Sequence, residues 1–255
     1  MARIRTIRTE TIVLRHHIFG EADRILTLLT PDKGKLRAIA KGVRKPASRK
    51  TGHLDLFMRS DVLLTIGRNL YVITQAQTID AYRELREDLV RSTYASCCVE
   101  LLDRFTPDEE ANEVLYKLLA EMLSYVSFSD NLSLLLRYYE LKLLDTVGFR
   151  PELEFCLNNK EPIKAEDQYF DAIAGGVLCP KCGVNKKNSR KISVDALKIM
   201  RFLQRSDFEK VKNLYLRPKI ATELENIHLN YLTVQLERQL KSVSFLEKVR
   251  LMGNN

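Results

Sequence analysis

Near residue 80 the hydrophobic period of this 255-residue chain changes from two to between three and four, and that switch restricts the folds open to it. Residues 35–41 alternate cleanly: Leu36, Ala38 and Ala40 point one way, and Lys35, Arg37, Ile39 and Lys41 the other. Related runs occupy residues 9–16, 24–30, 54–66 and 70–78, with Leu54, Leu56, Met58, Val62, Leu64 and Ile66 sharing one face of the longest. Turn residues separate them: Phe19-Gly20-Glu21, Pro31-Asp32-Lys33-Gly34, a polar loop over 42–52, and Gly67-Arg68-Asn69. Five short antiparallel strands in 80 residues predict a small closed barrel of OB type.

From Tyr82 the pattern is helical, with Leu85, Leu89, Thr93, Ser96 and Leu101/Leu102 in one stripe. Thr106-Pro107-Asp108-Glu109 predicts a helix start, Thr106 as N-cap and Glu109 closing a capping box. Val114, Leu115, Leu118, Leu119, Met122 and Val126 would be that helix's core face. A further helix is expected over 131–147, ended by Gly148 and Pro151. Residues 150–191 break the period with prolines, Gly175-Gly176 and three cysteines. Helices resume at Ser193, at Ser206 (with Glu209 in a second capping box) and over 218–239. The expected fold is therefore α+β and multidomain. An OB barrel (1–80) precedes a helical domain (81–149 and 192–255), interrupted by a cysteine-bearing, zinc-ribbon-like insertion (150–191).

Charge points to a partner. Residues 1–80 hold fifteen of the 41 Lys and Arg residues and seven of the 33 acids, an excess of eight that equals the whole net charge of +8. A positive field confined to the barrel suggests a polyanion. Lys33, Lys35, Arg37, Lys41, Arg44, Lys45, Arg49 and Lys50 fall within eighteen residues that contain no acid, and would form a phosphate-tracking surface on one strand and its loop. In the long strand Phe57 falls on the polar face beside Arg59. There it either stacks on bases or packs beneath the following helix.

Five cysteines without a secretion signal argue for reduced thiols or metal ligands rather than a disulfide framework. Cys179-Pro180-Lys181-Cys182-Gly183 is a knuckle that presents two thiolates to a tetrahedral ion, and Cys156 precedes it by 23 positions. The fourth position of a complete ribbon holds Asn159, a poor zinc ligand, leaving Glu161 or a water to finish the site. Any zinc there would be structural, because no histidine or general base accompanies the thiols. Cys97 and Cys98 read as small core residues.

No Walker loop, GxGxxG, nucleophile elbow or paired-carboxylate arrangement is visible, so no enzymatic activity is expected. With 45% hydrophobic and 29% charged residues the chain predicts a packed core, not disorder. No run approaches the ~18 apolar residues of a membrane span, and the first fifteen residues lack a signal-peptide core, so a cytoplasmic location is expected. An RNA-binding OB protein would share the barrel and its charge.

Several motifs coincide in order and spacing with a known family. Thr11-Ile12-Val13-Leu14, Gly20-Glu21-Ala22-Asp23-Arg24, Gly34-Lys35-Leu36 and Ala40-Lys41-Gly42-Val43-Arg44, and later Gly148-Phe149-Arg150-Pro151-Glu152-Leu153, Cys156 and Gly175 through Cys182, resemble the RecO family of bacterial DNA repair proteins. The resemblance covers the chain from about residue 5 to its last helix. It implies an OB-fold, a helical domain, and a zinc-binding loop in many members. It also implies binding of single- and double-stranded DNA and annealing of complementary strands. Work with a RecR partner to load RecA onto DNA coated by single-stranded DNA-binding protein is implied too, with a pocket for that protein's acidic tail in the helical domain. The family's four-cysteine pattern matches at Cys156, Cys179 and Cys182 and fails at Asn159.

Overall fold

The computed structural model describes residues 6–237, 240–242, 245, 246 and 249. The expected end of the last helix at Gln239 lies outside them. The chain divides into two compact units, one of residues 1–128 with 245–255 and one of residues 129–244.

The first unit begins with five strands, β1 (Thr6–Phe19), β2 (Asp23–Thr30), β3 (Gly34–Ala40), β4 (Arg59–Ile66) and β5 (Tyr71–Asp80). They close into a barrel in the order β1-β2-β3-β5-β4, β4 pairing back onto β1. The β3–β5 contact is parallel and short, only Ala38 with Tyr71 and Ile39 with Val72. This is the OB-like barrel the periodicity predicts. Val13, Leu26, Leu28, Leu36, Ala38, Ala40, Val62, Leu64 and Ile73 fill it, and Val43 and Leu54 from the connecting loop join them. The β1 register slips between Val13 and Arg15, so Leu14 is a bulge residue and Thr11 through Leu14 are all buried. A bulge bends and twists a strand, which lets β1 serve both sides of the closed sheet.

Two local expectations fail, each for a backbone reason. The long strand starts at Arg59 rather than near residue 54, because Phe57 takes a left-handed conformation (φ 67°) that breaks the alternation. Its N–H donates to Val13 O at 2.9 Å and its ring turns inward, 1% exposed. The helix expected with Thr106 as N-cap starts six residues later. Glu109 is itself left-handed (φ 60°), so no capping box forms, and Asn112 is the cap, its Oδ1 accepting from Leu115 N at 3.0 Å. The unit's helices are α1 (Glu84–Glu87), α2 (Leu89–Phe105) and α3 (Glu113–Phe128). Cys97 and Cys98 are buried in α2.

The second unit contains α4 (Leu132–Thr146), β6 (Gln168–Asp171), β7 (Gly176–Leu178), α5 (Pro180–Gly183), β8 (Ser189–Ile192), α6 (Val194–Arg205), α7 (Phe208–Val211) and α8 (Pro218–Leu236). Asn131 caps α4 through Leu134 N at 3.2 Å, and Gly148 follows its end at φ +84°. Ser193 caps α6 through Ala196 N at 3.2 Å. The second expected capping box yields only the four-residue α7, without a side-chain cap. The aperiodic stretch folds into a three-stranded sheet of order β7-β6-β8. Buried in this unit is an ionic cluster, Arg137 Nη2 to Glu140 Oε1 at 2.8 Å and His228 Nδ1 to Glu140 Oε2 at 2.8 Å. Among the described residues no helix is long and apolar enough to cross a membrane.

Candidate nucleic-acid interface

Antiparallel partners point to the same side of a sheet, so the register of β1, β2 and β3 defines an outward face. Arg15 lies opposite Thr27, and Thr27 opposite Arg37. The next row is His17, Ile25 and Ile39. Beyond it Phe19 lies opposite Asp23, and Phe19 is 52% exposed. The face thus combines two arginines with an imidazole, two isoleucines and an exposed phenyl ring. Part of it lines a groove of about 470 Å³ with Arg15, His17, Ile25, Thr27 and Arg37. Cations beside planar or apolar groups suit a polymer that alternates phosphates and bases.

The basic loop leaves one end of this face. Gly42 (φ +66°) donates its N–H to Asp23 Oδ1 at 2.7 Å, and Arg44 N donates to Ala22 O at 2.9 Å, tying the loop to the β1–β2 turn. Val43 plugs into the barrel core, and two successive turns (Lys45 N to Gly42 O, Ser48 N to Lys45 O) shape the loop from Gly42 to Ser48. Lys50 points inward, donating to Lys41 O at 2.9 Å and Ile73 O at 3.1 Å, and its burial lowers its pKa. Lys50 is therefore a loop fastener. Lys41, Lys45 and Arg49 are exposed, and exposed Arg44 donates to Glu21 O at 3.0 Å.

Other sequence-predicted residues sit elsewhere. Lys33 lies in the β2–β3 turn, its backbone N–H held by Thr30 Oγ1 at 3.1 Å. Lys35 follows the expected strand face, but its side chain is only 7% exposed and donates to Asp103 O at 2.7 Å and Asp103 Oδ1 at 3.0 Å. Phe57 is in the core, so of the two positions the sequence allows it, outward stacking is not the one it takes. Arg59 is held by Glu10 (2.7 Å), Asp80 (3.0 Å) and the Tyr116 hydroxyl (3.3 Å). Burial opposes its charge, but hydrogen bonds with Glu10 and Tyr116 outweigh that and raise its pKa. Sequence reasoning missed His17 and Phe19 because it ended the first strand at residue 16, and Arg15 because the bulge at Leu14 turns it to the face opposite core Val13. The Arg-x-His-x-Phe alternation was the available signal.

In the second unit the sulfurs of Cys156, Cys179 and Cys182 lie within 4.8 Å of one another. A tetrahedral zinc with Zn–S near about 2.3 Å would draw them closer, and three soft donors suit it. Cys156 is buried, and burial pushes its thiol up. Backbone N–H groups of Asn159, Cys179 and Asn158 more than offset this and bring it down to about 7. The fourth corner is different. Asn158 Nδ2 donates to Cys182 Sγ at 3.4 Å, and Asn159 Nδ2 reaches Cys179 Sγ at 4.0 Å and Glu161 Oε2 at 3.0 Å. Amide donors, not ligands, face the thiols. The cluster fits three of four ligands of a metal ion, with Glu161 one hydrogen bond away.

Comparison with known proteins fits this anatomy. The family model described as "Recombination protein O N terminal" matches residues 1–82, and "Recombination protein O C terminal" matches residues 86–244. A protein of Roseiflexus sp. named "DNA repair protein RecO" is 38% identical over 250 residues, covering 98% of this chain and 88% of its own. A relative of the same name from Dehalococcoides mccartyi is 36% identical over 251 residues, covering 98% and 99%. Another, from Symbiobacterium thermophilum, is 36% identical over 242 residues, covering 94% and 96%.

Proposed function

The chain belongs to the RecO family of DNA repair and recombination proteins, and from that premise we propose that it is a non-enzymatic mediator whose barrel binds DNA. It anneals complementary strands and, with a RecR partner, helps RecA displace single-stranded DNA-binding protein, acting in the cytoplasm. The observation that carries the reading is the outward face of β1–β2–β3. Arg15 and Arg37 flank His17, Ile25 and Ile39 there, and the face runs toward exposed Phe19, Lys41, Arg44, Lys45 and Arg49.

Annealing needs no catalytic group. Two strands repel through their phosphates, and a cationic surface lowers that repulsion while released counterions drive binding. Bases lie across the isoleucines, the imidazole and the phenyl ring, and cations take the phosphates. Lys33 at the opposite turn is a peripheral contact. Lys35, Lys50, Phe57 and Arg59 shape the surface rather than touch DNA. Cys156, Cys179 and Cys182 would hold a structural zinc, which would cross-link the loop to the small sheet and supply no chemistry to DNA.

The test is fluorescence annealing of complementary strands, bare or coated with single-stranded DNA-binding protein, at several salt concentrations. Salt-sensitive annealing on both is expected, and loss of it in Arg37→Ala/Lys41→Ala/Arg44→Ala/Lys45→Ala with the fold intact. Absence of annealing in the parent, with RNA bound in preference to DNA, would replace this reading with that of an RNA-binding barrel.

A further inference from the structure

Residues 106–112, which the sequence marks as a helix start, instead run beside the barrel. Glu109 N donates to Lys35 O at 2.8 Å, and Asp108 forms a parallel bridge with Lys35. Gly34 lies under Glu110, whose carbonyl oxygen would stand 1.9 Å from any Cβ there, and its φ of +64° also demands glycine. Lys35 Nζ, bonded to Asp103, also meets Asp108 Oδ1 at 3.3 Å, and Asp103 pairs with Arg15 as well. Asp108, Glu109 and Glu110 are all exposed. Asp103 and Asp108 share the lining of one groove with Arg15, Lys35, Arg37 and Arg104, the last paired with Glu100 at 3.5 Å.

At this end Arg15 and Lys35 are already matched by the protein's own acids. At the other end the segment Lys41 to Lys50 contains no acid, and its neighbours Asp23 and Glu21 meet it through the Gly42 N–H and the Glu21 backbone carbonyl. A phosphate approaching Arg15 competes with Asp103 and enters a groove that Asp108 also lines, with exposed Glu109 and Glu110 next to it in the chain. Resting on the reading of this face as the DNA-binding surface, we propose that Asp103 and the segment Asp108–Glu110 form an acidic stop. It competes with nucleic-acid phosphates for Arg15 and confines the bound strand to Arg37, Lys41 and the loop. Lys35 is then a positioning residue that anchors the stop, and Gly34 is required for its close seating. The stop limits how many phosphates one barrel engages. That keeps binding weak enough for an annealed duplex to be released.

Single-stranded oligonucleotide affinity, measured by fluorescence anisotropy over a salt series on the full chain, tests this. Asp108→Asn/Glu109→Gln/Glu110→Gln alters only exposed side chains and should tighten binding about three- to tenfold at low salt. The salt slope should steepen by about 0.7 for each phosphate newly engaged. The gain should shrink in an Arg15→Ala background. Glu84→Gln/Glu87→Gln/Glu121→Gln makes the same charge change outside the groove and should gain much less. Equal gains from the two triple variants, or no gain from the first, would overturn the proposal. Arg37→Ala/Lys41→Ala/Arg44→Ala serves as the reference. If it binds like the parent, the DNA-face reading itself fails. If it binds weakly while the acidic triple variant gains nothing over its control, only the acidic stop fails.

Discussion

The barrel face and the cysteine knuckle both gather like side chains, yet they tolerate change in opposite ways. On the barrel, cations are spread along a preformed sheet and a fastened loop, and on the proposed reading each would contribute a similar increment to holding a polyanion. In the knuckle, three thiols converge on one point, and the binding of an ion turns on the fourth corner. A surface that works by summation survives single losses. A site that works by ligand count does not, and Asn159 stands where the count falls short.

The largest expected effect is therefore at the knuckle. Asn159→Cys should tighten zinc binding by more than about 100-fold, exceeding what outer-shell partners contribute. Competition with a chromophoric chelator reads this, and cobalt substitution counts the thiolates. An unchanged affinity would mean that the fourth corner is already filled. Its counterpart is removal of metal by chelation. The salt dependence of DNA binding should stay unchanged, because the cations belong to the first unit and the thiols to the second.

Of similar size is the buried cluster of the second unit, which shares the knuckle's dependence on completeness. Arg137→Met leaves Glu140 buried with one partner fewer and should destabilise this unit by about 3–5 kcal/mol, read by chemical denaturation. His228 adds a pH dependence. Burial lowers its pKa, Glu140 opposing and Arg137 assisting, and its Nε2 has no hydrogen-bond partner among the described residues. The unfolded chain then takes up a proton near pH ~6.5 that the folded one resists. Stability of this unit should hold above that pH and fall as the pH drops below it. A His228→Gln variant should flatten the fall, and an undiminished dependence in that variant would assign it to another group.

The smallest effect belongs to the barrel. Lys45→Ala alone should weaken DNA binding only a few-fold and reduce the salt slope by about 0.7. A loss as large as that of the fourfold variant would mean one dominant contact, and the contrast between summation and ligand count would collapse.

Side-chain periodicity made the barrel and the helical stripes legible, because alternation and helical spacing follow directly from burial of one face, and cysteine spacing made the thiol knuckle legible. It failed where backbone conformation overrode local signals. Phe57 adopts a left-handed turn without a glycine to announce it, so the alternation that placed it outward was lost. Thr106 to Glu109 carries a sound capping-box signature, but a hydrogen bond to the β3 edge and the anchoring of Asp108 by Lys35 hold it out of the helix. Lys35 shows the same limit from the other side. Its strand face was legible, but Asp103, 68 residues away in sequence, decides that it is buried.

The salt dependence of single-strand affinity in the parent and in Arg37→Ala/Lys41→Ala/Arg44→Ala/Lys45→Ala tests the central claim most directly. About five phosphate contacts predict a slope of log affinity on log salt of about −3 to −4 in the parent, falling toward about −1 in the variant. Equal slopes, with both proteins folded, would contradict the claim and move the DNA off the barrel face.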